Sequence, residues 1–196
     1  MKNILHIQSS SRYDGSVTRE TGALTVQHLK RVIPDPRVIT RDLVAAPVPH
    51  VTPALVAALW QPGSPALGLS DQLIDELLAA DIIVIEVPMY NFNIPSVLKA
   101  WIDHVVRAGR TFSYEGGVPA GLVKGKKAIL IFGRGGVYTE GPAKVMDHQE
   151  PYLRAILGFI GIIDVQSVYI EGTGMGPEKT KDALAGAKRM VEKVKI

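Results

Sequence analysis

The run Ile82-Ile83-Val84-Ile85-Glu86-Val87 constrains the fold more than any other stretch, being five β-branched apolar residues broken by one carboxylate. A strand solvated on one face alternates apolar and polar residues, whereas a continuous apolar run belongs to a strand covered on both faces, as in a parallel sheet. Parallel neighbours cannot be joined by tight hairpins and need crossover segments, usually helices. The remaining sequence supplies them. Residues 2–8, 37–43, 81–87, 128–132 and 165–170 read as strands, and residues 16–31, 70–79, 95–106, 146–159 and 177–195 as helices. Val17, Ala23, Leu24, Leu29 and Val32 give the first helix its near-helical spacing. Ser70 reads as an N-cap with Asp71 near the positive helix end, and Pro95 suits the start of a helix striped by Val97, Leu98, Trp101, Ile102, Val105 and Val106. The order βαβαβαβαβα predicts a three-layer α/β/α sandwich around a five-stranded parallel sheet. No linker, repeat or shift of composition divides residues 1–196, so one domain is expected.

Composition excludes more than it assigns. The 46% hydrophobic and 21% charged content is that of an ordinary globular chain. With no cysteine, disulfides, thiolate nucleophiles and iron–sulfur clusters are excluded, so redox chemistry must come from a bound cofactor. Asn3, His6 and Gln8 interrupt the first apolar residues, which removes a signal peptide, and no run approaches the ~20 apolar residues of a membrane helix. A cytoplasmic protein with no membrane partner is expected. The net charge of +3 is spread among acids, and Lys124, Lys126 and Lys127 read as a solvated turn, so no nucleic-acid partner is expected. The histidines lack metal-ligand spacing, so no metal is expected.

In open parallel sheets ligands bind beyond the carboxyl ends of the strands. After the first strand, Ser9, Ser10, Ser11, Ser16 and Thr18 place hydroxyls ahead of a helix N-terminus, a setting for a monophosphate; G-x-G-x-x-G and G-x-x-x-x-G-K-[ST] are both absent. After the third, Met89, Tyr90 and Phe92 alternate with Asn91 and Asn93 and could wall a flat heterocycle. After the fourth, Gly135-Gly136 permits close backbone approach, with Arg134 and Tyr138 as flanking hydrogen bonders. Each loop also has a plainer account: Ser16 as an N-cap, Met89 and Phe92 as core beside turn-forming asparagines, and the glycines as a tight turn. Three such loops on one edge favour a site. Glu86 reads as a solvated strand end, with a catalytic carboxylate as the alternative. Residues 45–69, with a short helix over 53–60, form an excursion that could cover something, and residues 111–123 read as a hairpin.

Val87-Pro88-Met89-Tyr90-Asn91-Phe92-Asn93-Ile94, Arg107-Ala108-Gly109-Arg110-Thr111-Phe112, Arg134-Gly135-Gly136 and Leu157-Gly158-Phe159-Ile160-Gly161 resemble the bacterial FMN-dependent NADH-azoreductases, which are also NAD(P)H:quinone reductases. The resemblance spans nearly the whole chain and implies a flavodoxin-like fold and FMN as cofactor, with NADH or NADPH as donor. It implies reduction of quinones and azo compounds by ping-pong hydride transfer, with no catalytic side chain. A flavodoxin-like electron carrier is the alternative, although such carriers are strongly acidic and this chain is not. By position, Ser10, Ser16, Val17 and Thr18 are implied at the FMN phosphate, and Met89, Tyr90, Asn91, Phe92, Asn93, Gly133, Arg134, Gly135, Gly136 and Tyr138 at the ring. Gly133 stands where some relatives carry Ser, and Tyr138 where some carry His. The family's homodimers place their sites at the subunit interface, which assigns Phe112 and Tyr114 to covering a substrate.

Overall fold

The computed structural model describes residues 2–61 and 63–196; Met1 and Pro62 lie outside the described residues. Five parallel strands form the main sheet: β1 (Asn3–Gln8), β2 (Arg37–Asp42), β3 (Ile82–Pro88), and, after the short hairpin strands β4 (Phe112–Ser113) and β5 (Ala120–Gly121), β6 (Lys127–Gly133) and β7 (Asp164–Ile170). Their order is β2-β1-β3-β6-β7, so the winding reverses between β1 and β3, where a ligand crevice belongs. β3 is the buried strand that its apolar run requires, with only Pro88 partly exposed.

Alternation along the strands divides the core. Leu5, Ile83, Ile85, Leu130 and Phe132 face one side, under α3 (Gly68–Ala79), α4 (Ser96–Val105) and α5 (Glu150–Ile160). Ile4, Ile82, Val84, Ile129 and Ile131 face the other, under α1 (Val17–Val32) and α6 (Pro177–Val191). The short α2 (Pro53–Ala58) lies in the excursion, where Leu55, Ala58 and Leu67 form a separate small cluster.

Several local expectations are corrected. The buried stripe of α1 is Thr18, Thr21, Gly22, Thr25, Val26 and Leu29, whereas Ala23 is exposed and Val32 is 50% exposed. Small residues are needed on this face because it covers Glu86: a Cβ on Gly22 would lie 2.1 Å from Glu86 Oε1. Ser70 is not an N-cap. The helix starts at Gly68, and buried Ser70 donates to His104 O at 2.6 Å. Residues 142–146 form a 3-10 turn, and Asp147 accepts from Gln149 N and Glu150 N, so α5 begins at Glu150. Lys126 does not extend into solvent but donates to Leu78 O and Ala80 O at the end of α3, and burial lowers its pKa. Trp101 is core, whereas Trp60 is 84% exposed.

Candidate functional site

A cleft of about 540 Å³ opens where β1 and β3 end, within the range of small-molecule sites. Four chain segments line it: the loop after β1 with the start of α1, the exit of β3, the exit of β6, and the loop from β7 into α6.

In the first segment the hydroxyls are organised by one another. Ser16 Oγ donates to Ser10 Oγ at 2.9 Å and lies 3.2 Å from Thr18 Oγ1, while accepting from Arg19 N at 3.4 Å as the N-cap of α1. The cap and phosphate roles are therefore compatible, since one hydroxyl closes the helix while the first amides, at Val17 and Thr18, precede any intrahelical acceptor. Arg19 does not face the cleft; its guanidinium holds Ser10 O at 2.7 Å and Asp42 Oδ2 at 2.9 Å. Burial opposes ionisation of Asp42, but hydrogen bonds from Arg19, Val44 N and Ala45 N outweigh it and hold the carboxyl below its ordinary pKa. Ser9 Oγ donates to Glu86 O at 2.5 Å, and Tyr90 Oη accepts from Ser11 N at 3.2 Å, which ties this segment to β3.

Glu86 is fully buried, which overturns the solvated strand end. It faces α1 and lies outside the cleft lining, so it is not placed as a catalytic carboxylate either. His6 Nε2 lies 2.8 Å from Oε1 and Gln8 Nε2 donates to the same oxygen at 3.3 Å; Oε2 has no partner among the described residues.

The second segment is a tight turn. Tyr90 and Asn93 exchange backbone hydrogen bonds of 3.0 and 3.1 Å, with Asn91 and Phe92 at φ 50° and 66°. This two-residue turn splits the five predicted contacts. Met89 and Tyr90 line the cleft; Asn91 and Asn93, with Tyr90, line a neighbouring cavity of about 640 Å³ beside Lys99 and Tyr152. Asn93 Oδ1 accepts from Ile94 N at 2.8 Å. The Phe92 ring meets Tyr138 edge-on at 6.1 Å, joining the second loop to the third.

At the exit of β6, Gly133 and Gly135 line the cleft. A Cβ at Gly133 would stand 2.5 Å from Thr18 Cγ2, so glycine lets the start of α1 close on the sheet edge. Arg134 does not present its side chain as a flanking hydrogen bonder. Its guanidinium is buried and pairs with Asp147 and Glu171. Gly136 packs under the Tyr138 ring, and neither lines the cleft.

Sequence reasoning missed the fourth wall, formed by Thr173, Gly174, Gly176, Pro177 and Thr180, and also Arg12 and Gly15 in the first loop. The signal was present, since Gly172, Gly174 and Gly176 follow the last strand, and the strand-end rule applies to it equally. The hairpin exists, with β4 and β5 antiparallel, but Phe112 and Tyr114 do not line their own chain's cleft. Phe112 packs 4.6 Å from Phe159, and Val123 N donates to Ile160 O, which anchors the hairpin at the C-terminal end of α5.

The donor set suits a flavin mononucleotide. Among the described residues no carboxylate lines the cleft; the hydroxyls of Ser10, Ser16 and Thr18, Arg12 and the N-terminus of α1 supply one wall, and Met89, Tyr90 and open glycine backbone supply others. No metal-holding group of His, Asp and Glu occurs among the described residues.

This architecture is that of the flavodoxin-like class: a model of the flavodoxin-like fold family matches residues 2–194. The chain is 49% identical to an FMN-dependent NADH:quinone oxidoreductase of Beijerinckia indica, covering 97% of this chain and 98% of that protein. It is 45% identical to one from Hyphomonas neptunium, with 99% and 96% covered. Among solved structures, an FMN-dependent NADH-azoreductase from Bacillus anthracis, in complex with FMN, matches with TM-score 0.88 and 26% identity over 98% of this chain and 97% of that one. The chain belongs to the flavodoxin-like family that includes these FMN-dependent NADH:quinone oxidoreductases.

Proposed function

We propose that the protein is an FMN-dependent NAD(P)H oxidoreductase that reduces quinones and azo compounds. The observation that carries this is the cleft at the β1/β3 switch point, lined among the described residues by no carboxylate but by the hydroxyls and helix N-terminus of the first segment together with Met89, Tyr90 and glycine backbone. Full-length relatives named as FMN-dependent NADH:quinone oxidoreductases support the assignment. When bound, FMN supplies the two-electron chemistry that no side chain of this cysteine-free protein offers. The protein's own work is recognition and orientation. Ser10, Ser16, Thr18 and the amides of Val17 and Thr18 hold the phosphate, with Arg12 balancing its charge; Met89, Tyr90, Gly133 and Gly135 wall the ring and keep water from one side. Asn91, Phe92, Asn93, Arg134, Gly136 and Tyr138 act one step back, by fixing the turns that carry those contacts.

We further place the enzyme in the cytoplasm, with its pyridine-nucleotide donor, as a homodimer. No helix among the described residues is long and apolar enough to cross a membrane. Tyr114 is 60% exposed on a hairpin that does not line its own cleft, and a second copy gives that hairpin a cleft to cover. The electron-carrier alternative is disfavoured by a sequence pI near 9.1.

The test is anaerobic spectroscopy of the protein reconstituted with FMN. Stoichiometric flavin retention, bleaching by NADH and return of colour with a quinone are expected. Failure to retain flavin rejects the assignment, and reoxidation only by a protein partner selects the carrier.

A further inference from the structure

β6 ends at Gly133, and the loop that follows, Arg134-Gly135-Gly136, has two glycines; glycine loses more conformational freedom on ordering than any other residue. Such a loop holds a fixed wall only if something outside it does the holding. The structure supplies that support from below and from the side. Arg134 turns its guanidinium inward, with its side chain 0% exposed, over the Phe132 ring at 4.7 Å. It donates to Asp147 Oδ2 at 2.8 Å, Glu171 Oε1 at 3.0 Å and Gln149 Oε1 at 3.1 Å. Glu171, the first residue after β7, also accepts from Tyr138 N at 2.8 Å, Thr139 N at 3.2 Å and Thr139 Oγ1 at 2.6 Å.

One carboxylate therefore gathers the far end of the loop while Arg134 pins its near end. The backbone completes the seam: Gly172 N donates to Gly136 O, Thr173 N to Arg134 O and Gly174 N to Gly135 O. Neither Arg134, Asp147 nor Glu171 lines the cleft, so ligand contact does not explain a largely buried cluster of one cation and two carboxylates. Burying such groups carries a desolvation cost that pairing only partly returns, and their best-attested use is to select one arrangement of the chain.

We propose that Glu171 is a positioning residue for flavin-ring recognition. By holding the amides of Tyr138 and Thr139 and bridging to Arg134, it fixes Gly135, Thr173 and Gly174 as one rigid wall against the ring. This rests on the proposed FMN site and assigns Glu171 an effect confined to recognition of the ring. The first segment, which takes the phosphate, is built on Ser10, Ser16 and Thr18 and shares no hydrogen bond with Glu171.

The experiment titrates flavin-free protein with FMN and with riboflavin, and measures competition by inorganic phosphate. Glu171→Gln keeps the side-chain shape and removes the charge. It is expected to raise both flavin dissociation constants by the same factor, about fivefold or more, the equivalent of ~1 kcal/mol. Inhibition by phosphate should stay within about twofold of the parent on the same scale. Ser16→Ala should show the opposite pattern, weakening FMN and sparing riboflavin. Unchanged riboflavin affinity in Glu171→Gln overturns the proposal, and so does equal loss of flavin and phosphate, which marks general loosening of the fold. If Glu171→Gln does not fold, Arg134→Lys, which keeps the charge but loses the forked donor set, is read against the same outcomes. A parent protein that binds neither flavin refutes the underlying site, a result visible before any variant is compared.

Discussion

Gly22→Ala isolates the contact that seats α1, the helix proposed to take the FMN phosphate. At an exposed helix position the change would stabilise by about 0.5–1 kcal/mol, because alanine restricts the unfolded chain. Here the added methyl would lie 2.1 Å from Glu86 Oε1, 2.8 Å from Cδ and 2.9 Å from Cγ. The first of these falls more than ~1 Å short of the ~3.5 Å optimum for non-bonded heavy atoms. Glu86 cannot swing away freely, because Oε1 is held by His6 and Gln8 on the neighbouring strand. Either α1 lifts from the sheet or the buried bonds break. Overpacking of this kind costs about 1–3 kcal/mol, so the net expectation is a loss of ~1–2 kcal/mol after the helix gain. For a chain of this size that is a fall in Tm of about 2–8 °C. Because lifting α1 moves Ser16 and Thr18 away from Gly133, FMN affinity should fall as well. Denaturant unfolding of Gly22→Ala, Glu86→Ala and the double variant, with FMN titration of each, forms the cycle. With the carboxylate removed, the added methyl should cost nothing or stabilise. A Gly22→Ala single variant as stable as the parent, or additive effects in the double variant, would refute the packing argument.

Ser16→Asp places a carboxylate among Ser10, Thr18 and the first turn of α1, and should expel FMN while riboflavin still binds; full FMN occupancy after purification would contradict the phosphate assignment. Asn93→Ala removes the acceptor of Ile94 N and loosens the Tyr90–Asn93 turn, so FMN should be retained several-fold less tightly, about 1 kcal/mol, as read by fluorescence titration. Asp42, with a depressed folded-state pKa, stabilises the protein above the ordinary carboxylate pKa of about 3.9 and loses that contribution as pH falls further. Asp42→Asn should therefore be less stable near neutrality, with the difference from the parent shrinking below about pH 4 in unfolding curves; a difference constant with pH would count against it.

The alternation of strands and helices was legible because each element carries its own periodicity. The doubly apolar run of β3 required two covering layers, and they are present. The edge on which the ligand-facing loops converge followed from the same alternation, since every parallel strand ends on that side. What the periodicity could not supply was the direction of side chains within the loops. Of residues 89–93, only Met89 and Tyr90 line the cleft, because Asn91 and Phe92 take positive φ and turn the chain toward a second cavity.

By itself the sequence determined the layers, the sheet and the edge that carries the site, all properties of local pattern. Tertiary structure alone decided the fate of its polar groups. Glu86 is buried because His6 stands 80 residues away in sequence on the adjacent strand, and because Gly22 leaves room above it. Arg134 turns inward because Glu171, 37 residues on, and Asp147 meet it there. A buried polar group goes where its partners are, and when partners lie tens of residues apart only the folded chain brings them together.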